Sequence, residues 1–397
     1  MQKLRQTTPG WLPIDSYLSA WPGARRRLWA DLARPWDALI VLVGSLLAFW
    51  LYAATLLPGI GNRDTAELQR VAPTLGLAHP TGYPLYTLLG WLWSHLPLGG
   101  TPAWRMNLFS AAAAALAIGL VYLAARALGQ RPAVAAAAAV ALAVSRTFWA
   151  QATIAEVYAL AALLQAALIL ALLRWRAGRL PFWVVGLALG LGLAHHRSIV
   201  LMLPGLLLFL ALGHRPRPRE AGAALLTALA PCLLYLYLPL HAPAGADPWR
   251  LLWEYAAGAD MAAAWLDPHR LWAEGGARLL DLVRRFVWPQ LLPAGALLAL
   301  LGAARLLWRD RAAAGLLLGG YGVVVAFCAA YYVDDVEVFF IPAHLIAALL
   351  LGEGAMSIGR MIDDARRTAI TPAATAGQPY SGRRLSVVGR RSSVVGR

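Results

Sequence analysis

The sequence predicts an all-α fold, a polytopic transmembrane bundle of about ten spans. Hydrophobic residues occupy 60% of the 397 positions and charged residues 14%, whereas charged residues make up about a quarter of a typical soluble domain. Apolar runs of about twenty residues, the length that crosses a bilayer as a helix, recur along the chain. These runs are continuous rather than alternating, which favours helices over a barrel as the way to satisfy the backbone in lipid.

Ten apolar segments are predicted as the spans. They cover residues 38–57, 104–127, 132–149, 154–173, 181–196, 198–213, 221–240, 288–307, 313–332 and 338–352. Together they define a membrane domain at 38–355, preceded by a segment at 1–37 and followed by a basic tail at 356–397. The tail contains a tandem Gly-Arg-Arg repeat at 382–388 and 389–395, a low-complexity pattern that predicts disorder.

Two connections, at 58–103 and 241–287, are longer than a simple turn. The first contains an apolar stretch from Tyr83 to Leu96, flanked by prolines and too short for a comfortable span. We expect a re-entrant or interfacial helix there; the alternative is an eleventh span, which would invert the topology downstream. The second mixes tryptophans with charges, which predicts amphipathic helices at the membrane surface, through Trp249, Trp253, Trp265 and Trp272.

Charge is distributed unevenly between alternate connections. Basic residues gather in one set, which the positive-inside rule predicts to be cytoplasmic together with both termini; they include Arg126, Arg131, Arg174, Arg176, Arg179, Arg215, Arg217, Arg219, Arg305, Arg309 and Arg311. Acids and histidines gather at the outer ends, namely Asp64, Glu67, His79, Glu156, His195, His196, Asp334, Asp335 and Glu337. One outward-facing cavity shared by these residues is the simplest explanation, and ordinary solvated loop ends are the alternative.

The formal net charge of +15 does not indicate nucleic-acid binding. The arginines lie in short gaps between apolar runs, as topology signals do, rather than in one groove-binding stripe. The two cysteines, Cys232 and Cys328, lie inside predicted spans and are expected to act as buried apolar residues. No P-loop, dinucleotide fingerprint, zinc spacing or nucleophile elbow occurs in the sequence.

The first outer loop carries the most informative pair of acids, in Gly-Asn-Arg-Asp-Thr-Ala-Glu-Leu-Gln-Arg at 61–70. Asp64 and Glu67 are three residues apart and would share one face of a helix. Asp64 also stands where a helix N-cap is expected. Three interpretations follow: a capped short helix without further role, a general base that takes the proton of an attacking hydroxyl, or two carboxylates that hold a divalent cation.

Other polar residues lie at the outer ends of distant segments. His79, in a rigid and turn-rich stretch, could donate to a phosphate or a sugar hydroxyl, although a lone loop histidine is more often structural. Glu156, close to the apolar zone, needs a partner or water. His195 and His196 would point about 100° apart on a helix and make a poor pair of ligands for one metal. Arg197 suits a phosphate group; its alternatives are a headgroup contact or an ion pair with Glu156.

These segments in combination resemble a known family. The relevant residues are Asp64-Thr65-Ala66-Glu67, His79 to Tyr86, Trp104-Arg105 with Asn107, Ala155 to Leu160, His195-His196-Arg197, and Tyr235 to Leu240. They resemble a bacterial family related to the eukaryotic transmembrane O-mannosyltransferases, within the GT-C superfamily of polytopic glycosyltransferases. The resemblance covers about residues 38–355. The family pattern usually has Ser-Gly where Thr65 and Ala66 stand here, and a second proline where Thr81 stands.

The resemblance implies a glycosyltransferase with a polyprenyl-phosphate sugar as donor and transfer on the non-cytoplasmic face of a bacterial plasma membrane. Mannose is the sugar that the relation suggests, and the acceptor is a protein, a lipid or a glycan. Asp64 is then the general base and Glu67 its helper. The residues that bind the donor phosphate or the substrate are then His79, Tyr83, Arg105, Glu156, His195, His196, Arg197 and Asp335. No cofactor is required, and a divalent metal at Asp64 and Glu67 is optional.

Two other classes of function are weighed against this one. A transporter or flippase for a lipid-linked or polar solute would carry ionisable residues near the bilayer midplane and inverted repeats, and the sequence shows neither pattern. A non-catalytic membrane assembly protein would use its outer acids for solubility alone. The position of the charges at helix ends favours the transferase.

Overall fold

The computed structural model describes residues 35–257 and 268–370, and these residues form helices joined by short connections. The α-helices are α1 (Pro35–Ala54), α2 (Arg63–Thr74), α3 (Pro84–Ser94), α4 (Pro102–Ala127), α5 (Pro132–Ala143), α6 (Arg146–Ala152), α7 (Tyr158–Arg176), α8 (Trp183–His195), α9 (Leu203–Leu212), α10 (Pro218–Leu229), α11 (Tyr237–Leu240), α12 (Pro248–Ala257), α13 (Pro268–Leu282), α14 (Trp288–Arg309), α15 (Arg311–Ala330) and α16 (Ile341–Ile370). Three 3-10 segments, Arg197–Met202, Ala230–Leu236 and Val336–Phe340, and one π-helical turn, Val283–Val287, complete the described elements.

Prolines and caps explain where many helices begin. Pro84, Pro102, Pro132 and Pro218 each occupy the first turn of a helix, where the missing N–H costs no hydrogen bond. The hydroxyl of Thr101 accepts a hydrogen bond from the N–H of the third residue of α4 at 3.2 Å, the usual N-cap contact. Local sequence features therefore mark where these helices begin.

The apolar helices agree with the predicted all-α polytopic class. Seven helical segments are long and apolar enough to cross a membrane, or eight when α5 and α6, bent by 69°, are counted as one span. Helix α8 and the segment Arg197–Leu212 are shorter apolar helices. Each of the ten predicted segments therefore contains an apolar helix, and α3, with 11 residues, is too short to span, as the sequence predicted.

Small residues bring neighbouring helices into close contact. A Cβ atom added to Gly186 would lie 2.0 Å from the carbonyl oxygen of Ala224, and one added to Gly190 would lie 2.3 Å from that of Ala228. These two glycines, four residues apart on α8, let its backbone touch α10, which is the way small residues pack membrane helices. This contact fixes the end of α8, where His195 lies.

Two predicted boundaries differ from the structure. The disordered tail was predicted from 356, but α16 continues to Ile370, and residues from Ile358 onward form a separate unit whose described part is largely exposed. The surface loop predicted to end at 287 instead passes through α13 and the π turn into α14, so that the apolar segment is Trp272–Arg309. The segment 1–34, Trp265 and the repeat at 382–395 lie outside the described residues.

Candidate active site

Helix α2 carries the two acids of the first loop. Asp64 lies in its first turn, and Glu67 follows one turn later. The N-cap is Asn62, not Asp64 as the sequence predicted, because the helix begins at Arg63, whose φ of 49° is left-handed. The Asp64 side chain is exposed and stands at the N-terminal end of the helix, the positive end of its dipole.

A hydrogen-bonded chain links Glu67 to His79 and Tyr83. Nδ1 of His79 lies 2.5 Å from Oε2 of Glu67, and the backbone N–H of His79 donates to Oε1 at 3.0 Å. On the other side of the ring, Nε2 lies 2.9 Å from the hydroxyl of Tyr83. In the tautomer with the proton on Nδ1, the ring donates to the carboxylate of Glu67, and Nε2 accepts a hydrogen bond from the Tyr83 hydroxyl. Glu67 orients His79 rather than facing a substrate directly.

Buried polar contacts hold α2 against the rest of the bundle. The Thr65 hydroxyl donates to Oε1 of Glu156 at 2.9 Å. The Gln69 amide donates to Oδ1 of Asn107 at 2.9 Å, and the same oxygen accepts the backbone N–H of Ala155 at 2.8 Å. The loop before α7 and the start of α4 thereby fix the position of Asp64, because buried hydrogen-bond partners are costly to separate.

Glu156 is buried and lies beside the acidic loop rather than on an open surface, with 9% of its area exposed. Burial, and then the negative charge of Asp64, raise its pKa to about 8, although the Thr65 hydrogen bond acts in the opposite direction. Glu156 is therefore protonated over much of the neutral range. The sequence predicted that Glu156 contacts the substrate directly, whereas in the structure Glu156 contacts Thr65, the residue next to Asp64.

The two histidines at the end of α8 have different hydrogen-bond partners. His195 is buried, and its Nε2–H donates to the carbonyl of Val157 at 2.8 Å. His196 turns the other way, and its Nδ1 accepts the backbone N–H of Ser198 at 3.1 Å. Burial, followed by its cationic and histidine neighbours, lowers the pKa of His196 to about 3, so that His196 is neutral at physiological pH.

One cavity of about 710 Å³ brings many of these residues together. Six of the predicted residues line it, namely Asp64, His79, Tyr83, His196, Arg197 and Asp335. Glu67 and Glu156 lie one contact behind it, through His79 and Thr65. His195 lies behind its neighbour and lines a separate small cavity. The volume falls within the range of about 300–1,000 Å³ usual for ligand sites.

Arg105 does not line this cavity. Its guanidinium donates to the backbone carbonyls of Ser94, Gly99 and Gly100 at 2.5, 3.0 and 3.2 Å. These carbonyls belong to the end of α3 and the turn that follows, which would otherwise leave several acceptors without a donor. Arg105 thus fixes the connection between α3 and α4, and the substrate contact expected from the sequence is not found at this cavity.

A second wall of the cavity comes from the segment after α15. It contributes Tyr331, Tyr332, Asp334 and Asp335, together with the rings of Phe327 and Phe339. Desolvation, and then the charge of Asp64, raise the pKa of Asp335. Carboxylates from the two walls therefore influence each other across the cavity.

Sequence reasoning did not assign several residues that contribute to the site. Arg63 and Ser198 line the cavity beside predicted neighbours, and adjacency to Asp64 and Arg197 was the available signal. The aromatic residues Tyr158, Tyr331 and Tyr332 also line the cavity, and a sequence does not distinguish a membrane-interface ring from a cavity ring. The Thr65–Glu156 contact joins positions 91 residues apart, and no local pattern indicates it.

Three side chains have the chemistry of a metal site. One ligand atom from each of Asp64, Glu67 and His79 lies within 4.8 Å of the others. Two carboxylates and an imidazole are donors suited to zinc or manganese. The sequence predicted two of these three ligands.

Comparison with known proteins identifies a related family. Residues 64–218 match the family model of the N-terminal domain of protein O-mannosyl-transferase TMEM260. The chain is 37% identical over 75 residues to protein O-mannosyl-transferase tmem260 of Dictyostelium discoideum and 39% identical over 94 residues to TMEM260 of Mus musculus. These alignments cover 18% and 23% of this chain but 9% and 13% of those proteins, so the chain spans a small part of their length. The predicted family resemblance is confirmed.

Solved structures show the same fold at low identity. ArnT from Cupriavidus metallidurans, bound to undecaprenyl phosphate, matches with a TM-score of 0.57 and 15% identity over 87% of this chain and 66% of that one. The apo oligosaccharyltransferase of Archaeoglobus fulgidus matches with a TM-score of 0.55 and 16% identity over 85% and 52%. Its complex with zinc and sulfate matches with a TM-score of 0.53 and 17% identity over 85% of this chain and 51% of that one. The GT-C-like fold predicted for the chain is thereby confirmed.

Proposed function

We propose that this protein is a membrane glycosyltransferase that transfers a sugar from a polyprenyl-phosphate donor to an acceptor hydroxyl. The sugar that we propose is mannose. Asp64 is the general base. The observation that carries the proposal is that an exposed carboxylate, Asp64, and a guanidinium, Arg197, line the same cavity of about 710 Å³. A base and a phosphate-binding cation in one cavity are the two groups that this transfer requires.

The environment of Asp64 suits a base. Among residues 35–257 and 268–370, Asp64 has neither a hydrogen bond nor an ion pair with another side chain, so its oxygens are available to an incoming hydroxyl. Its neighbour Thr65 anchors the helix turn through Glu156, which keeps the carboxylate in place. Proton transfer to a positioned carboxylate typically accelerates a reaction by about 10²- to 10⁴-fold.

The proposed step is a single displacement. The acceptor oxygen bonds to C1 of the sugar while its proton passes to the Asp64 carboxylate. The bond between C1 and the phosphate oxygen breaks, and its electron pair leaves with the polyprenyl phosphate. Arg197 and Arg63, both at the cavity, stabilise the charge that develops on the phosphate. One displacement inverts the configuration at C1, and no protonation of the leaving group is needed because a phosphate leaves as an anion.

The related proteins support the substrate classes. Those that match residues 64–218 are named as protein O-mannosyl-transferases, and the structural neighbour ArnT binds undecaprenyl phosphate. On that basis we propose that this chain uses polyprenyl-phosphate mannose as donor and a hydroxyl group as acceptor. From the arginine distribution we further propose that both termini lie in the cytoplasm of a bacterial cell and that transfer takes place on the opposite, non-cytoplasmic face of the membrane.

A divalent metal at Asp64, Glu67 and His79 is a further part of the proposal. The three ligand atoms lie within 4.8 Å of one another, and a related fold has been crystallised with zinc and sulfate. Bound metal would compete with the proton shared by His79 and Glu67 and would add positive charge beside the donor phosphate. Transfer that falls in chelator and returns with added zinc or manganese would establish this site; transfer unchanged by chelator would exclude it.

The decisive experiment replaces Asp64. Purified wild type and Asp64→Asn are supplied with polyprenyl-phosphate mannose and an acceptor, and release of polyprenyl phosphate is measured. We expect a loss of about 10²- to 10⁴-fold. Asp247→Asn is the matched control, because Asp247 is another acid on the predicted outer side that accepts backbone N–H groups at the start of α12. Equal rates for wild type and Asp64→Asn would refute Asp64 as the base.

A further inference from the structure

The second wall of the cavity has a chemistry different from the first. We propose that the segment 331–335 binds the sugar ring of the donor and that Asp335, with the rings of Tyr331 and Tyr332, determines which hexose is accepted. This inference rests on the proposed function and assigns the place of the sugar within it. All three residues line the cavity that also holds Asp64 and Arg197.

Charge gives the donor one orientation in the cavity. Arg63 and Arg197 are its arginines, while Asp334 and Asp335 lie together on the second wall. The donor phosphate, a diester with one negative charge, is repelled by adjacent carboxylates and attracted by guanidinium groups. The phosphate therefore lies toward Arg197, and the uncharged part of the donor head, its sugar, lies toward Asp335.

The groups on this wall match the two kinds of surface on a hexose. A sugar ring has apolar C–H faces, which pack on aromatic rings, and hydroxyl groups, which donate to carboxylates. Tyr331 and Tyr332 supply the rings, and Asp335 supplies an exposed carboxylate four and three residues later. A charged acceptor of this kind discriminates between epimers, because a hydroxyl in the wrong direction leaves the carboxylate without its donor.

Several contacts position the residues of this wall. The guanidinium of Arg278 lies 3.9 Å from the ring centre of Tyr332 and donates to the carbonyl of Tyr331 at 2.7 Å. The Tyr331 ring stacks on Phe327 at 4.8 Å and meets Phe339 edge-on at 5.1 Å. Arg278 comes from α13, so a helix distant in sequence holds both rings in place. Preorganised rings bind a ligand at a lower entropic cost than mobile ones.

The test separates the sugar from the phosphate. Dissociation constants are measured in detergent, without acceptor, for bare polyprenyl phosphate, polyprenyl-phosphate mannose and polyprenyl-phosphate glucose. We expect Asp335→Asn to weaken binding of the preferred sugar-bearing lipid about tenfold and to reduce the preference between the two sugars, with bare polyprenyl phosphate unaffected. Arg197→Gln should weaken all three lipids. Tyr332→Leu should weaken the sugar-bearing lipids alone.

Glu337→Gln is the matched control, since Glu337 lies two residues after this segment and does not line the cavity. Equal weakening of bare and sugar-bearing lipid by Asp335→Asn, or no weakening of either, would overturn the assignment. An effect of Asp335→Asn seen only when acceptor is present would also overturn it and would place the acceptor on this wall. Failure of the proposed function is distinct: Asp64→Asn would then retain transfer, or wild type would bind none of the three lipids, and in the second case the sugar site fails as well.

Discussion

The acids at the two ends of the helices have different kinds of partner. At one end, acids are paired with arginines: Asp37 with Arg126 at 3.0 Å, Asp310 with Arg176 at 2.6 Å, and Glu353 with Arg305 at 2.9 Å. We call these three pairs the ion-pair end. At the other end, the cavity collects Asp64, Asp335 and Arg197 around an open volume. The acids of that end meet hydroxyl groups and imidazoles, as Glu156 meets Thr65 and Glu67 meets His79.

We infer from this difference that the charges at the ion-pair end stabilise the fold and that those at the cavity take part in transfer. A buried ion pair neutralises its own field, so that it holds helices together and presents little to a ligand. An acid that faces a cavity without a cationic partner keeps its oxygens available to a substrate, at a cost in folding free energy. We therefore expect substitutions at the ion-pair end to change stability and those at the cavity to change transfer.

The largest expected effect is at the ion-pair end. Glu353 is fully buried and pairs with Arg305 and Arg309, so Glu353→Gln leaves two arginines without their counter-charge. Breaking a buried pair on one side costs about 3 to 5 kcal/mol, measured as a loss in unfolding free energy in detergent. Transfer per folded molecule should be unchanged. A variant of normal stability but reduced transfer would contradict the division between the two ends.

The next effect is at Glu67. Glu67→Gln removes the charge that holds the proton on Nδ1 of His79, so the ring loses its fixed tautomer and orientation. We expect kcat to fall roughly 10- to 100-fold, with a change in the pH profile of transfer. His95, which contacts its own helix at Trp91, provides the control His95→Gln. A fall in melting temperature with unchanged kcat would show that Glu67 is structural.

A smaller effect concerns pH and Glu156. Because its pKa is raised to about 8 by burial, the folded protein holds this proton at pH values where the unfolded chain has already lost it. The resulting stabilisation is complete below the ordinary glutamate pKa of about 4.3 and is lost as the pH rises through 8. The melting temperature should fall by a few degrees between pH 5 and pH 8. Glu156→Gln should flatten this dependence; an unchanged slope would exclude Glu156 as its source.

The sequence predicted the fold and part of the site for different physical reasons. Apolar length locates the spans because a bilayer has a fixed thickness, and the bend of 69° after α5 was missed because no proline marks it. The sequence indicated Asp64, Glu67 and Arg197 because charges are rare next to lipid. It did not indicate that Thr65 reaches Glu156, which depends on how distant segments pack. It also did not indicate that Arg105 donates to the turn after α3, which depends on the path of the connection between α3 and α4.

The smallest expected effect, at Tyr83, tests whether the two walls of the cavity act together. Tyr83 has a left-handed φ of 44°, its hydroxyl lies 2.9 Å from Nε2 of His79, and its ring stacks on His196 at 5.6 Å. Tyr83→Phe keeps the ring and the stacking and removes one neutral hydrogen bond, which is worth about 1 kcal/mol or roughly fivefold. That loss should appear in kcat, since His79 serves the reacting side, while the affinity for polyprenyl-phosphate mannose stays the same. If affinity for the sugar-bearing lipid fell and kcat did not, Tyr83 would belong with Tyr331 and Tyr332 to the wall that binds the sugar. The stacked pair of Tyr83 and His196 would then separate the part of the cavity that holds the base from the part that binds the sugar.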